Sequence, residues 1–268
     1  MEQEILSKDM IPQPELWRCV IEMDESRLDV ALFPPVETER LIHRTILLNP
    51  DSPSLDKAVQ EAVYANPLLL SDFARIDVLV TTTDFSIVPA ETAQSADAAQ
   101  ILTAACIDTD GKTAEMCAAS PNCSIAFAID SSLAGFIRRT FFNVRIAHSL
   151  APLIAYPAEE TAIFTAVERG KVLITAFENS NLLFANIFRC AGAEDATYFI
   201  SAVSKNLPVE NLPVVLAGNS GEADLTEEYL TKYICAPKRS TLPHTLARFG
   251  KDTTTLTQPL TAFLSCGL

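Results

Sequence analysis

The order of predicted strands and helices repeats once along the chain, and this repeat limits the fold more than any other feature of the sequence. Three apolar, β-branched runs separated by turn residues come first, which is the pattern of an antiparallel meander. A helix with apolar residues at helical spacing follows, with Ser52 as its expected N-cap and Pro53 in its first turn, and then a fourth strand. The predicted strands are Leu16–Met23, Leu28–Phe33, Leu41–Leu48 and Ile76–Thr82.

The second half of the sequence shows the same order of elements. Its predicted helix begins at Glu194 and Asp195, where acidic groups suit the positive end of the helix dipole. The offset between matching residues, Leu28 with Val172 and Ile76 with Val214, changes by only a few residues across the block. A nearly constant offset predicts an internal duplication. The strands of this second block are Thr161–Glu168, Lys171–Phe177, Leu182–Phe188 and Pro213–Ala217.

A meander that crosses over through a helix to a parallel strand forms a mixed sheet. The sequence therefore predicts an α/β protein of two tandem lobes, residues 1–155 and 156–268. Each lobe is expected to hold a three-stranded antiparallel meander plus parallel strands in one mixed sheet flanked by helices.

Segments outside the two blocks have weaker patterns. The Ala-rich stretch Thr92–Cys106 predicts either a helix or a mobile insertion, and Ser131 is the expected N-cap of a short helix. Asp224 with Glu227 resembles a capping box, and the helix after it is expected to bury Tyr229 and Tyr233. Beyond Ala236 the sequence is rich in Thr and Pro, and we predict no element there.

Charge and cysteine content exclude several classes of protein. The chain has 20 basic and 34 acidic side chains and a net charge of −14, so we expect no nucleic-acid partner, which would need a basic face. No apolar run approaches the ~20 residues of a membrane helix. The first residues lack the apolar core of a secretory signal, and the seven cysteines form no Cys-x-x-Cys motif. These features predict a cytoplasmic protein with free thiols.

Three strings in the sequence resemble one known family. They are Val78–Pro89, Phe136–Ile154 and Lys171–Ile187, and each resembles segments of the bacterial domain of unknown function 3822 family. The resemblance extends over roughly residues 15–235. It implies an actin-like ATPase fold of the RNase H-like class, in agreement with the two predicted meanders. It implies no activity, because one fold hosts unrelated chemistries.

Nucleotide-binding members of this superfold carry a Gly-bearing turn with an acidic residue in each half and a late Gly-Gly. Here the first turn begins at Asp24 but has no Gly. The second turn keeps an acid-x-Gly spacing in Glu168 and Gly170, and Gly218 with Asn219 stands in place of the Gly-Gly. These five residues are our candidate nucleotide site. We predict that the site is degenerate and that no cofactor is required; binding of ATP with Mg²⁺ is the alternative.

Two further groups of residues are candidate sites. An RNase H-type metal centre would need several carboxylates from different strands, and Asp24, Asp77 and Asp130 are the candidates. We nonetheless predict neither a metal site nor catalytic residues, because the sequence contains no nucleophile motif and no His-x-x-x-His or similar metal-ligand spacing. The one concentration of basic residues, at Arg138, Arg139 and Arg145, is a candidate surface for a partner, with a solvated helix face as the alternative.

These observations favour an interaction or scaffold protein with an actin-like fold over an enzyme. The competing hypothesis is an ATP-binding or ATP-hydrolysing switch. Neither the identity of the protein partner nor the oligomeric state follows from the sequence.

Overall fold

A computed structural model describes residues 5–34, 40–157, 159–218, 220–241, 246, 249 and 255–266. The chain forms two compact units, and each takes in a piece of the C-terminal segment. One unit comprises Met1–Ala151 with Arg248–Leu256, and the other comprises Pro152–Ala247 with Thr257–Leu268. Among the described residues, no helix combines the length and the apolarity that crossing a bilayer requires.

The first unit is built on a five-stranded mixed sheet. Its strands are β1 (Arg18–Met23), β2 (Arg27–Phe33), β3 (Ile42–Leu47), β4 (Arg75–Val80) and β8 (Arg145–His148). The spatial order is β3-β2-β1-β4-β8, with the first three strands antiparallel and the last three parallel. The meander and its parallel neighbour are the predicted arrangement. All but the first residue of β1 are buried, which is typical of a strand covered on both faces.

Most helices of this unit bury an apolar side. They are α1 (Leu55–Tyr64), α2 (Ala90–Ser95), α3 (Ala98–Ala104), α4 (Ser131–Thr140) and α5 (Leu150–Ala155), the last of which extends past the end of the unit. α1 buries residues at helical spacing, among them Val59 and Val63, and α4 buries Phe136 and Ile137 in the same way. Short 3₁₀ turns precede β1 and follow α1.

A second, three-stranded sheet lies between β4 and β8 in the chain. Its strands are β5 (Phe85–Pro89), β6 (Lys112–Ser120) and β7 (Cys123–Asp130), in the antiparallel order β5-β7-β6. Of these three strands the sequence predicts only β7, from the alternating apolar residues of Ser124–Ile129. β5 and β6 are mostly half-exposed, and β6 is rich in Ala and polar residues that have low strand propensity alone. Pairing on both sides of the buried β7 makes them strands.

The second unit contains a five-stranded sheet with the same strand order. Its strands are β9 (Ala162–Glu168), β10 (Lys171–Glu178), β11 (Asn181–Arg189), β12 (Val214–Ala217) and β13 (Lys238–Arg239). The order is β11-β10-β9-β12-β13, again an antiparallel meander followed by parallel strands. Its helices are α6 (Ala193–Asn206), α7 (Gly221–Tyr233) and α8 (Gln258–Cys266). These two sheets confirm the predicted fold class of helix-flanked mixed sheets.

Three predicted N-caps are wrong. α1 begins at Leu55 with Ser54 in the N-cap position, and the hydroxyl of Ser52 donates to Glu61 Oε2 at 2.7 Å instead of capping the helix. α4 is capped one residue earlier than expected, by Asp130, whose carboxylate accepts from the Leu133 N–H at 3.0 Å.

The third wrong cap is that of α7. This helix is capped by Ser220 rather than Asp224, whose carboxylate is bound by the guanidinium of Arg239. The expected Asp224–Glu227 capping box therefore does not form. The Ala-rich stretch adopts the helical alternative: α2 and α3 fill it, and Asp97 with Gln100 forms a capping box at the start of α3.

Candidate functional site

The turn between β1 and β2 is closed by its own acidic side chain. Asp24 Oδ1 accepts hydrogen bonds from the Ser26 N–H at 2.8 Å, the Ser26 hydroxyl at 2.8 Å and the Arg27 N–H at 3.0 Å. Such local bonding is what Asp contributes to many tight turns. The two N–H groups that a phosphate would need at this turn donate to the carboxylate of Asp24 instead.

A cavity of about 120 Å³ beside this turn is lined by charged residues, two threonines and apolar residues. The charged residues are Asp24, Glu25, Asp84, Asp130 and Lys112. Each of its three aspartates has a bond within the chain. Asp84 Oδ2 lies 2.6 Å from Lys112 Nζ, and Asp130 caps α4. The cavity thus holds acidic groups that already stabilise the turn, the ion pair and the helix start.

The acidic residue of the second turn is covered by the start of α8. Glu168 and Lys171 are 7% and 8% exposed, and Lys171 Nζ lies 3.8 Å from Glu168 Oε2. The N–H of Gln258, the first residue of α8, donates to Glu168 Oε1 at 3.1 Å. A carboxylate at a helix N-terminus is stabilised by the orphan N–H groups and the dipole there. Glu168 therefore anchors the C-terminal helix to the second sheet.

Gly218 follows β12 and approaches β9 too closely for any other residue. A Cβ at this position would lie 2.4 Å from the carbonyl oxygen of Val167, and its φ of +126° is disfavoured for residues with a side chain. Its own carbonyl accepts from Arg239 Nη1 at 3.1 Å. Packing within the second sheet is enough to require this glycine. Asn219, the fifth candidate residue, lies outside the described residues.

The structure brings the candidates of the second unit to one edge of its sheet. β9 and β12 are parallel, with Ala166 opposite Ala217. Glu168, the last residue of β9, and Gly218, the first residue after β12, therefore lie at the same ends of these strands. Gly170 sits in the adjoining hairpin with a φ of +72°. Asp24 belongs to the other unit and lies at the corresponding ends of β1 and β4.

The three carboxylates considered for a metal centre do not converge. Asp77 pairs with Val20 in the β1–β4 register, three residues before Met23 and hence about 10 Å from the strand end that leads to Asp24. Oδ1 of its buried carboxylate accepts from Arg75 Nε at 3.2 Å and from Arg145 Nε at 2.8 Å. Within the part of the chain that the structure describes, no cluster of His, Cys, Asp or Glu has an arrangement that suits a metal ion.

The predicted basic patch is divided among separate contacts. Arg138 Nη2 lies 2.5 Å from Glu115 Oε1 on β6, while Arg145 pairs with the buried Asp77 on β4. The guanidinium of Arg139 lies over Gly135 of its own helix. These contacts support intramolecular roles for two of the three arginines, and the prediction of a partner surface there stays a prediction.

His148, at the end of β8, is a core residue rather than a ligand. Its ring is fully buried; Nδ1 accepts from the Leu150 N–H at 3.2 Å, so Nε2 carries the proton that is donated to the Thr82 carbonyl at 2.9 Å. Burial lowers the pKa of His148 to about 4, and the hydrogen bond to Thr82 opposes this shift only in part. The ring is therefore neutral at physiological pH.

The structure has one surface groove that the sequence did not predict. A groove between α6 and α7 encloses about 490 Å³ and is lined by three tyrosines, of which Tyr198 and Tyr233 are 67% and 65% exposed. Tyr233 was expected on the buried side of its helix, and that expectation is wrong. Tyr233 lies three residues after the core residue Leu230, so helical periodicity places both on one side of α7. Periodicity does not show whether a neighbouring element covers the Tyr233 side chain.

Comparison with known proteins agrees with this architecture. A family model described as "Protein of unknown function (DUF3822)" matches residues 14–236. A protein with an actin-like ATPase fold and unknown function from Bacteroides thetaiotaomicron VPI-5482 is similar at 17% identity, over 95% of this chain and 97% of that chain, with a TM-score of 0.78. No curated protein matches the sequence significantly.

Two more distant structures share the fold. The PilM-PilN type IV pilus biogenesis complex is similar at 13% identity and a TM-score of 0.58, over 95% of this chain and 97% of that chain. The ethanolamine utilization protein EutJ from Carboxydothermus hydrogenoformans is similar at 9% identity and a TM-score of 0.50, over 91% and 92%. At these identities the likeness shows the actin-like fold and nothing about activity.

Proposed function

This chain belongs to the DUF3822 family of proteins of unknown function, and we propose that it acts as an interaction or scaffold protein whose nucleotide site has degenerated. The fold is that of actin-like ATPases, so the loss would concern the turns that face a phosphate in such proteins. We further propose a cytoplasmic location, a protein partner rather than a nucleic acid, and an origin by internal duplication.

One observation carries the proposal: the acidic residue of each turn accepts hydrogen bonds from backbone N–H groups of this chain. Asp24 binds the N–H groups of its own turn, and Glu168 binds the N–H of Gln258. A working phosphate site needs such N–H groups directed at the ligand and needs the acid for hydrated Mg²⁺. Binding a nucleotide at either turn would require these bonds to break first.

The choice of a protein partner has support from charge and from a similar structure. A net charge of −14 opposes binding to the phosphates of a nucleic acid. PilM, which has this fold, is described in a complex with PilN. We extend that description to this chain only as an analogy between folds.

The second candidate function is an ATP-binding switch. It is favoured by Glu168, Gly170 and Gly218, which keep an acid-x-Gly turn and a late glycine at one sheet edge. For this candidate, ATP would have to displace the start of α8 from Glu168, so binding would be coupled to movement of that helix.

Thermal unfolding with and without nucleotide separates the two candidates. Ligand present at a hundredfold excess over its Kd adds about 2.7 kcal/mol of stability. For a chain of this size that gain raises the Tm by about 5–10 °C. We expect no rise with ATP, ADP or GTP in the presence of Mg²⁺. A rise of that size would refute the degenerate site and favour the switch.

A variant tests the structural role of the second turn. Glu168→Gln is expected to lower the Tm of the nucleotide-free protein, since it weakens the charge-assisted bond to the start of α8. Glu178→Gln, at the far end of β10, removes the same charge from a half-buried position and serves as the matched control. Equal effects of both substitutions would contradict an anchoring role for Glu168.

A further inference from the structure

The groove between α6 and α7 has the dimensions and lining of a binding site. Its volume of about 490 Å³ lies within the range of about 300–1,000 Å³ that is common for ligand pockets. Tyrosine is enriched among residues that dominate binding energy at protein interfaces. The lining residues are Glu194, Thr197, Tyr198, Ser201, Tyr229, Tyr233 and Ile234.

The walls of the groove are held in place by the core and by a hydrogen bond between the helices. Ile200 of α6 and Leu230 of α7 belong to the same buried cluster. The hydroxyl of Tyr229 donates to Glu194 Oε1 at 3.1 Å, which also raises the pKa of Tyr229 and keeps its phenol neutral. The rings of Tyr229 and Tyr233 are 6.4 Å apart and inclined by 42°. The groove is therefore formed before any ligand arrives.

The chemistry of the groove selects a positive charge. The face of an aromatic ring attracts cations, and the carboxylate of Glu194 lines the same groove, where it accepts from the Tyr229 hydroxyl. Glu228 adds negative charge beside Tyr229, and Asp195 follows Glu194 in the first turn of α6. The ammonium of Lys232 already lies over the outer Tyr233 ring, 4.9 Å from its centroid. An anionic ligand would meet repulsion from the carboxylates of Glu194, Asp195 and Glu228.

We propose that this tyrosine groove binds a lysine or arginine side chain from an extended, basic segment of a protein partner. The charged end would contact the tyrosine rings and Glu194, and the flanking segment would cover the exposed ring edges. The inference rests on the proposed interaction role only for the premise that the ligand is a protein. The acidic surroundings and the 67% and 65% exposure of Tyr198 and Tyr233 favour this occupant.

A labelled hexa-arginine peptide is a suitable probe for the full chain, with binding followed by fluorescence anisotropy. Wild-type protein is expected to bind it, and the double variant Tyr198→Ala/Tyr233→Ala to bind about five- to thirtyfold more weakly, since each exposed cation–π contact contributes about 0.5–1 kcal/mol. Tyr64→Ala/Tyr156→Ala is the matched control, because both of these tyrosines are exposed elsewhere at 59% and 44%.

Three single substitutions distinguish the contributions of the tyrosine rings and of the Glu194 charge from that of the overall negative charge of the chain. Tyr233→Phe keeps the ring and is expected to bind like wild type. Glu194→Gln is expected to weaken binding several-fold, whereas Glu91→Gln, which removes one negative charge from the exposed start of α2, is expected to leave it nearly unchanged.

Three results would overturn the proposal. One is equal weakening by the groove and control variants, which would mean that the peptide binds the acidic surface at large. Another is failure of the wild-type chain to bind hexa-arginine. The third is sedimentation of the wild-type chain as a dimer and of the Tyr198→Ala/Tyr233→Ala variant as a monomer, because a second copy of the chain would then occupy the groove. An ATP-dependent rise in Tm would refute the proposal that the nucleotide site is degenerate, but it would not affect the peptide-binding results.

Discussion

Acidification is expected to destabilise the first unit through His148, whose side chain has no exposed surface. In the neutral ring, Nε2–H donates to the Thr82 carbonyl and Nδ1 accepts from the Leu150 N–H. A protonated ring carries hydrogens on both nitrogens, so Nδ1 would oppose the Leu150 N–H and a charge would be buried. Folding therefore requires that the ring stay unprotonated.

The size of the effect follows from the two pKa values. Burial lowers the pKa of His148 to about 4 in the folded protein, against about 6.5 in the unfolded chain. Between these pH values the unfolded state binds the proton and the folded state does not, so stability falls as the pH drops through this window and is constant above it. About 2.5 pKa units at about 1.4 kcal/mol each correspond to about 3 kcal/mol lost by pH 4.

The sole tryptophan of the chain makes the measurement specific. Trp17 is buried in the same unit as His148, so its fluorescence reports the unfolding of that unit. Urea titrations over a series of pH values would give the free energy of unfolding at each one. His148→Gln retains an amide donor and acceptor but does not titrate. Over the window, wild type is expected to lose about 3 kcal/mol more than this variant.

Parallel loss of stability in wild type and His148→Gln would refute the reasoning. The acid sensitivity would then come from carboxylates that are paired in the folded state, which both proteins share. The comparison depends on the slope with pH, so a lower stability of the variant at neutral pH does not affect it.

Three more outcomes are expected. Gly218→Ala should lower the free energy of unfolding by about 2 kcal/mol or more, because its Cβ meets a backbone carbonyl and its φ is strained, whereas Gly221→Ala, which meets no atom within 4 Å, should be tolerated in a thermal scan. Asp77→Ala should cost about 2 kcal/mol in the same fluorescence assay, since it removes charged hydrogen bonds from two arginines. In the native protein a thiol reagent should modify the exposed Cys106 promptly, and Cys19, whose pKa is raised by burial, only after unfolding; prompt loss of both thiols would contradict this.

The meanders were predictable because each strand is a short apolar run bounded by turn residues. The hairpin at Gly170 is an example: the sequence places Thr161–Glu168 and Lys171–Phe177 around it, and the strands end within one residue of those bounds. β6 was not predictable, because its Ala and polar residues become a strand only through pairing with β7. A local sequence pattern predicts a strand whose residues form an apolar run bounded by turn residues. It fails for a strand such as β6, which forms only because it pairs with a neighbouring strand.

The turn that holds two of the candidate residues was predictable in position, but the bonds of its side chains were not. The spacing of Glu168 and Gly170 correctly placed a turn at the end of β9, yet the partner of Glu168 is Gln258, 90 residues away. No local sequence pattern predicts such a contact, and α8 itself lies in a segment where we predicted no helix or strand. The tyrosine groove was missed for a related reason, since it exists only where α6 packs beside α7.

The allocation of the C-terminal segment to both units has a consequence during translation. His43 Nδ1 on β3 lies 2.9 Å from Thr255 Oγ1, and Arg248–Leu256 belongs to the first unit. These residues leave the ribosome after almost all of the second unit, at a synthesis rate of about 5–20 residues per second. The nascent first unit must therefore wait, with part of its structure incomplete, until residues 248–256 have emerged.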